Sequence, residues 1–331
     1  MRLKYSLLCA LAAVVVCSSC NDEWNEEQFE RYISFKAPIN SEGVSRINVP
    51  YKTTEPATYQ VPLIVSGSII NDRNYTVRIG IDTDTLDVLN YERFNNRKDL
   101  YYKALDTRFF SFPETVEIKA GENTALLPVQ FDLNGLDLTD KWVLPLTIED
   151  APDGSYTPNY RKHYRKALLR IMPFNDYSGN YSGVNYKSYI AGAEGEGAIV
   201  KSLIMTYVVD HETVFFYAGT VDETRTDRKN YKIKARFVTE GGRNRVELTA
   251  ENDNMKFRLN KAPTFYVEET MDPLRPYLLH KTVTIMDIDY NFVDYTTVPN
   301  AELEYHVVGD LTMERQINTQ IPDDDQSIEW E

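Results

Sequence analysis

The chain has 331 residues, with 50 acidic against 36 basic side chains and a formal net charge of -14. Hydrophobic residues at 42% and charged residues at 26% are ordinary for a globular chain of about two domains, which excludes long disorder and collagen-like repeats. No basic patch is visible, so nucleic acid is not among the expected partners.

The N-terminus reads as a secretory leader. Arg2 and Lys4 precede the apolar run Leu7 to Val16. That run is too short to span a bilayer as a helix, which takes about 20 residues. It ends in Cys17-Ser18-Ser19-Cys20, which resembles the cleavage and acylation signal of bacterial lipoproteins, although Cys17 stands where that signal usually has a Leu-like residue. The expectation is a signal peptide over 1–19, lipid attachment at Cys20 and an acidic tether over 20–30. Cys9 and Cys17 then leave with the leader and Cys20 carries lipid, so no thiol remains for a disulfide or a Cys-based zinc site. The acidic stretch Asn21-Asp22-Glu23-Trp24-Asn25-Glu26-Glu27 resembles the export signal of Bacteroidetes lipoproteins, which implies an outer-membrane, lipid-anchored location facing the cell exterior.

Beyond Phe29 the pattern alternates with period 2, the signature of half-buried strands. Val61, Leu63 and Val65 share a face, as do Val116, Ile118 and Ala120, and then Leu127, Val129 and Phe131. Val143-Leu144-Pro145-Leu146-Thr147-Ile148 carries a proline and therefore reads as an edge strand or a bulge. The stretch 89–112 reads as a long Tyr- and Asn-rich loop with at most a short helical turn. Turn signals at short spacing predict an immunoglobulin-like β-sandwich over 31–173. Met172-Pro173-Phe174-Asn175-Asp176 marks a boundary. From 176 to 331 about eight further strands are predicted, including a hairpin turning at Gly241-Gly242, and a chain of that kind must close its edges. The expected fold class is all-β, a sandwich followed by an antiparallel, calycin-like β-barrel.

Chemistry is harder to read. His163, His211, His280 and His306 lack metal-ligand spacing, and no nucleotide-binding or nucleophile motif is present. Asp287-Ile288-Asp289 would place two carboxylates on one strand face, the pairing glycoside hydrolysis needs. Asp82, Asp84 and Asp87 offer alternating oxygens for a calcium ion, without the glycine and terminal Glu of an EF-hand, and a polar strand end or turn is the competing reading. Asp323-Asp324-Asp325 reads as a solvated turn. The excess of Tyr is the most suggestive feature, at 23 against 14 Phe and 3 Trp. Flat aromatics with a polar edge pack on the C–H faces of sugars. The candidates are Tyr181, Asn185, Tyr186 and Tyr189, with Tyr101, Tyr102 and Trp330. The competing reading is that Tyr, a good strand former, fills the cores.

Several stretches together resemble a known family. They are Ile81-Asp82 to Leu89-Asn90-Tyr91, Val116-Glu117-Ile118-Lys119-Ala120-Gly121, Val143 to Ile148, Tyr177-Ser178-Gly179 with Tyr181-Ser182-Gly183, Thr213 to Gly219, and Glu314 to Gln326 with Ile328-Glu329-Trp330. The chain is similar to surface lipoproteins of Bacteroidetes polysaccharide-utilisation loci. Their first domain is shared, without catalytic role, with surface endo-β-N-acetylglucosaminidases, and their second β domain is uncharacterised. The resemblance implies a non-enzymatic lipoprotein that binds a glycan, with no cofactor. The outer-membrane lipid would be a partner through acylated Cys20, beside a transporter or other surface lipoproteins. A structural or adhesion lipoprotein is the alternative, and a glycan-processing enzyme with an unrecognised site the third reading.

Overall fold

The computed structural model describes residues 26–183, 185–323 and 325–330; Cys20 and the leader lie outside them. The first ten strands are β1 (Ile33–Phe35), β2 (Ser45–Pro50), β3 (Ala57–Val65), β4 (Tyr75–Ile81), β5 (Tyr102–Ala104), β6 (Phe110–Ser111), β7 (Thr115–Ile118), β8 (Thr124–Phe131), β9 (Lys141–Ile148) and β10 (Lys166–Phe174). They form two sheets, ordered β1-β3-β8-β6 and β2-β10-β9-β4-β7, with β5 added alongside β9. The alternation read from sequence packs them face to face. Val61, Leu63 and Val65 of β3 and Leu127, Val129 and Phe131 of β8 are buried against Val77, Leu144 and Leu146 of the other sheet.

Two local expectations are corrected. Residues 83–94 are an α-helix, α1 (Thr83–Phe94), and the rest of the expected loop is short turns and the strands β5 and β6. Asp82 is its N-cap, accepting from the Thr85 amide at 3.2 Å, and this satisfies one of the helix's free N–H groups. The buried Asn90 ties α1 to β5 by donating to the Tyr102 carbonyl and accepting from the Tyr102 amide. Pro145 lies in a central strand, not at an edge. It is tolerated because two strands share that side of β9: β5 pairs with Lys141 to Val143 and β4 with Leu146 to Ile148. Pro145 falls in the gap, where only its carbonyl is used, accepting from the Asp82 amide.

The second region contributes β11 (Gly179–Ser182), β12 (Lys187–Ile190), β13 (Ile199–Val200), β14 (Leu203–Val208), β15 (Thr213–Tyr217), β16 (Lys232–Glu240), β17 (Arg243–Ala250), β18 (Arg258–Lys261), β19 (Thr264–Met271), β20 (Leu278–Asp294), β21 (Leu303–Asn318) and β22 (Ile328–Glu329). The order β21-β11-β14-β15-β16-β17-β19-β20, with β20 pairing back on β21, closes an eight-stranded antiparallel barrel. The all-β sandwich followed by a barrel is therefore the fold. A barrel of this size has an interior just wide enough for side chains to fill. Tyr181, Tyr186, Phe216, Tyr231, Phe237, Tyr290 and Phe292 fill it, each at most 2% exposed. The Tyr186 and Tyr290 hydroxyls meet at 2.6 Å, and Tyr290 also accepts from the Gly219 amide.

The two domains meet through buried charge. The Arg170 guanidinium of β10 reaches Glu42 at 3.2 Å and, across the boundary, Glu223 at 2.6 Å. Tyr207 donates to the same Glu223 carboxylate. Arg228, 1% exposed, donates from the barrel domain to the Thr139 and Asp99 carbonyls of the sandwich.

Candidate functional site

The sequence candidates do not converge. Tyr181 and Tyr186 are wholly buried in the barrel, where burial pushes both phenols up, so they are core residues and offer no face to a ligand. Tyr102 is likewise buried, edge-on to Phe94. Tyr101 is half-buried and donates to the Asn95 carbonyl. Asn185 is exposed in the turn before β12, and Tyr189 is half-buried on β12, opposite His306 of β21. Trp330, 43% exposed, packs against Phe174 at 4.8 Å under the Arg315 guanidinium. These residues lie in the sandwich, on the barrel wall and at the C-terminal end, not around one cleft.

The carboxylate candidates also find ordinary partners. Asp82 caps α1 and pairs with Lys166, while Asp84 and Asp87 are exposed along the same helix, so the three carboxylates form no cation loop. Asp287 sits at a bulge in β20 with φ 64°, which breaks the alternation assumed for it and Asp289. Asp287 pairs with Lys261 at 2.8 Å, and Asp289 accepts from Asn260 at 2.9 Å and lies 2.9 Å from His306 Nε2. Asp325 pairs with Lys52, and Asp324 lies outside the described residues. Among the described residues no group of three or more His, Cys, Asp and Glu side chains is placed to hold a metal ion.

A concave site lies elsewhere, at the end of the sandwich where the described chain begins. A cavity of about 310 Å³ opens between the sheets, at the low end of the ~300–1,000 Å³ range of small-molecule sites. Its apolar wall is Ile33, Val65, Tyr75 and Tyr156, and Phe29, 67% exposed, stands at its lip. Its polar rim is Glu27, Arg31, Asp72 and Arg73. The loop carrying Gly154 to Thr157 is held beside β1 by an amide bond from Ile33 to the Thr157 carbonyl. Tyr156 pins that loop, donating to the Glu149 carbonyl at 2.9 Å and accepting from the Arg78 amide at 3.0 Å.

The rim is electrically balanced. Arg31 donates from Nε to Glu27 at 3.0 Å, from Nη1 to Asp72 at 2.5 Å and from Nη2 to the Ile70 carbonyl. The Ser68 and Phe29 amides, with the Arg31 guanidinium, hold the Glu27 carboxyl well below the usual range. Arg31 does the same for Asp72. Arg73 is 3.6 Å from Asp72, with its guanidinium 5.9 Å from the Tyr75 ring centre. Both cations are thus already answered by an anion. Sequence reasoning missed this site because its walls come from four separated segments that only the sheet topology joins. The available signal was local, the polar run Asn71-Asp72-Arg73-Asn74-Tyr75.

A titrating group lies at the far hairpin. His280 Nδ1 is 2.5 Å from Glu314 and its Nε2 3.2 Å from Asp272, which also holds Arg275. Glu314 first and Asp272 second raise the imidazole above its ordinary value of 6.5. A raised folded value means that the pair's stabilisation is complete below about pH 6.5 and fades as pH rises through the folded value. NMR titration should give a His280 value above 6.5, and the small loss of thermal stability on going to alkaline pH should vanish in His280→Gln. An imidazole titrating at or below 6.5 refutes this.

A family model described as a domain of unknown function (DUF4973) matches residues 24–152, and another, described only as "-like, C-terminal", matches 165–312. A Bacteroides thetaiotaomicron protein described as an auxiliary nutrient binding protein is 43% identical, with 91% of this chain and 100% of its own aligned at a TM-score of 0.80. A Bacteroides ovatus protein of unknown function is 42% identical over 90% of this chain and 100% of its own, at 0.79. Another from that organism, a multidomain protein including DUF1735, is 41% identical over 90% and 100%, at 0.78. No curated protein matches the chain. At 41–43% identity over 90% or more of this chain and the whole of theirs, the chain belongs to the same family as these Bacteroides proteins.

Proposed function

We propose that the protein is a non-enzymatic lipoprotein of the outer cell surface that binds a glycan nutrient in the sandwich cavity. The cavity carries the reading. It joins an apolar wall and an exposed aromatic lip to fixed donors and acceptors, the combination that a sugar's C–H faces and hydroxyls require. Its balanced rim leaves no unanswered cation for an acidic sugar, so the reading is for an uncharged one. The relative described as an auxiliary nutrient binding protein supports the class of function. Acylation of Cys20 would hold the lip near the membrane: the six residue steps from Cys20 to Glu26 span at most about 20 Å. That favours receipt of short glycans beside a transporter over capture of distant polymer.

Calorimetry on the soluble chain, residues 21–331, against neutral and uronate-containing oligosaccharides tests this. A neutral ligand is expected to bind, and Phe29→Ala to weaken it by about 30-fold, the ~2 kcal/mol of a contact hot spot. Tyr189→Ala, on the barrel wall, should leave it unchanged. Binding that survives both Phe29→Ala and Arg73→Ala would remove the cavity from the account. Shortening of the oligosaccharide during the titration would replace binding with hydrolysis.

A further inference from the structure

Strand β19 outruns the hairpin beside it. Its pairing with β17 is confined to Thr264 opposite Arg245, and in that register β17 starts at Arg243, level with Tyr266, so that 267–271 run past the turn at Gly241-Gly242. Its other side pairs continuously with β20, from Thr264 opposite Met286 to Met271 opposite Leu279. Beyond Phe265 every residue of β19 is exposed, on both faces of the ribbon. Among the described residues no strand pairs with the outer edge of 266–271.

That edge carries apolar side chains and ends in a stiff tip. Tyr266, Val267 and Met271 are 36%, 39% and 48% exposed, and Leu274 at the tip is 91% exposed. Asp272 fixes the tip by accepting from the Leu274 and Arg275 amides at 2.8 and 2.9 Å. Pro273 and Pro276 restrict it further. An ordered, unpaired, partly apolar edge is a template for another strand, and soluble proteins ordinarily cover or charge it. Here the charges on the strand are Glu268 and Glu269, which alternation places on opposite faces. Neither has an ion-pair partner among the described residues, since Lys281, opposite Glu269, is engaged by Asp176 at 3.1 Å.

We infer that the β19 edge docks an extended, basic segment of another protein, added as a further strand. Main-chain bonds along 266–271 would supply affinity, and Val267, Met271 and Leu274 would take the partner's apolar side chains. The two unpaired carboxylates select Lys or Arg in the incoming strand. They also disfavour a second copy of this chain, which would bring Glu268 and Glu269 against their own kind.

The test uses strand-length peptides of about 8 residues, one alternating Lys with Val and Thr, the other with Glu in place of Lys. Each is titrated into the soluble chain, and amide hydrogen exchange is followed. The Lys peptide should slow exchange in 266–271 and bind about tenfold more tightly than the Glu peptide. The Glu268→Lys/Glu269→Lys variant should reverse that preference, with barrel amides elsewhere unchanged to show that it folds. Protection of 266–271 by neither peptide, or equally by both, overturns the inference. So does protection that grows with protein concentration alone, which would make the occupant a second copy.

Discussion

Arg170→Met is expected to lower stability by about 3 kcal/mol at neutral pH, the low end for breaking a buried pair, because it strands the Glu223 carboxylate, whose side chain is 22% exposed. Arg170 is 3% exposed and is the cation shared by Glu42 and Glu223. Burial, the largest effect, would raise the Glu223 carboxyl, and Arg170 together with the Tyr207 hydroxyl and the Lys141 ammonium outweighs it, keeping the group below its ordinary value. Lys141 cannot take over fully. It stands 4.0 Å away, and burial pushes its own ammonium down to about 8. Glu42 would keep Arg46 at 2.8 Å, so the loss concentrates on Glu223 and on the domain boundary it occupies. The sign with pH follows. The native Glu223 carboxylate stabilises above the unfolded carboxylate range and loses that effect as pH falls through its folded value. In the variant the folded value rises, Glu223 takes up a proton earlier, and the gap to wild type should narrow towards about pH 4–5. Denaturant unfolding at pH 7 and at acid pH reads both effects. Glu223→Gln added to Arg170→Met should restore part of the loss, because the orphaned charge is gone. A variant within about 1 kcal/mol of wild type at pH 7 would show that water already screens the pair.

What the sequence showed and what it hid follow from range. Period-2 alternation is local, so Val61-Leu63-Val65, Leu127-Val129-Phe131 and the hairpin through Gly241-Gly242 could be read directly. Helix α1 was hidden because its inward face mixes Leu86 and Phe94 with Thr85 and Asn90. Asn90 is inside for a hydrogen bond to β5, a tertiary fact with no hydrophobic trace. Pro145 misled for a similar reason, since its place between two strands that divide one edge depends on pairings far away in sequence. Among the site candidates, the reading of Tyr as a ligand surface failed at Tyr181 and Tyr186, where the reading of Tyr as barrel filling held. The cavity was invisible because Phe29, Arg31, Asp72, Arg73 and Tyr156 meet only after both sheets form. Arg31 and Asp72 give no sign of each other in a sequence that separates them by three strands.

Gly309→Ala should be about as damaging as the charge variant, by about 2–6 kcal/mol, through backbone alone. Gly309 lies in β21 with φ 145°, a conformation open to glycine and costly for other residues, by about 1–3 kcal/mol. A Cβ there would lie 2.3 Å from the Asn185 carbonyl oxygen and 2.6 Å from the Tyr186 Cα. These are backbone atoms, so no side chain can turn aside, and overpacking adds about 1–3 kcal/mol more. The consequence reaches the barrel interior. Pushing 185–186 outward drags on Tyr186, whose hydroxyl pairs with Tyr290, and on β12, which pairs with β21 from Lys187 opposite Val308. Thermal unfolding and the near-ultraviolet signal of the buried tyrosines should therefore change together. Gly121→Ala separates the two causes, since Gly121 has φ 88° but nothing within 4 Å of its would-be Cβ. It should show the conformational cost without the clash and leave the tyrosine signal alone. If Gly309→Ala proved no worse than Gly121→Ala, β12 would be free to move off β21, and the close approach at 185–186 would hold no part of the barrel in place.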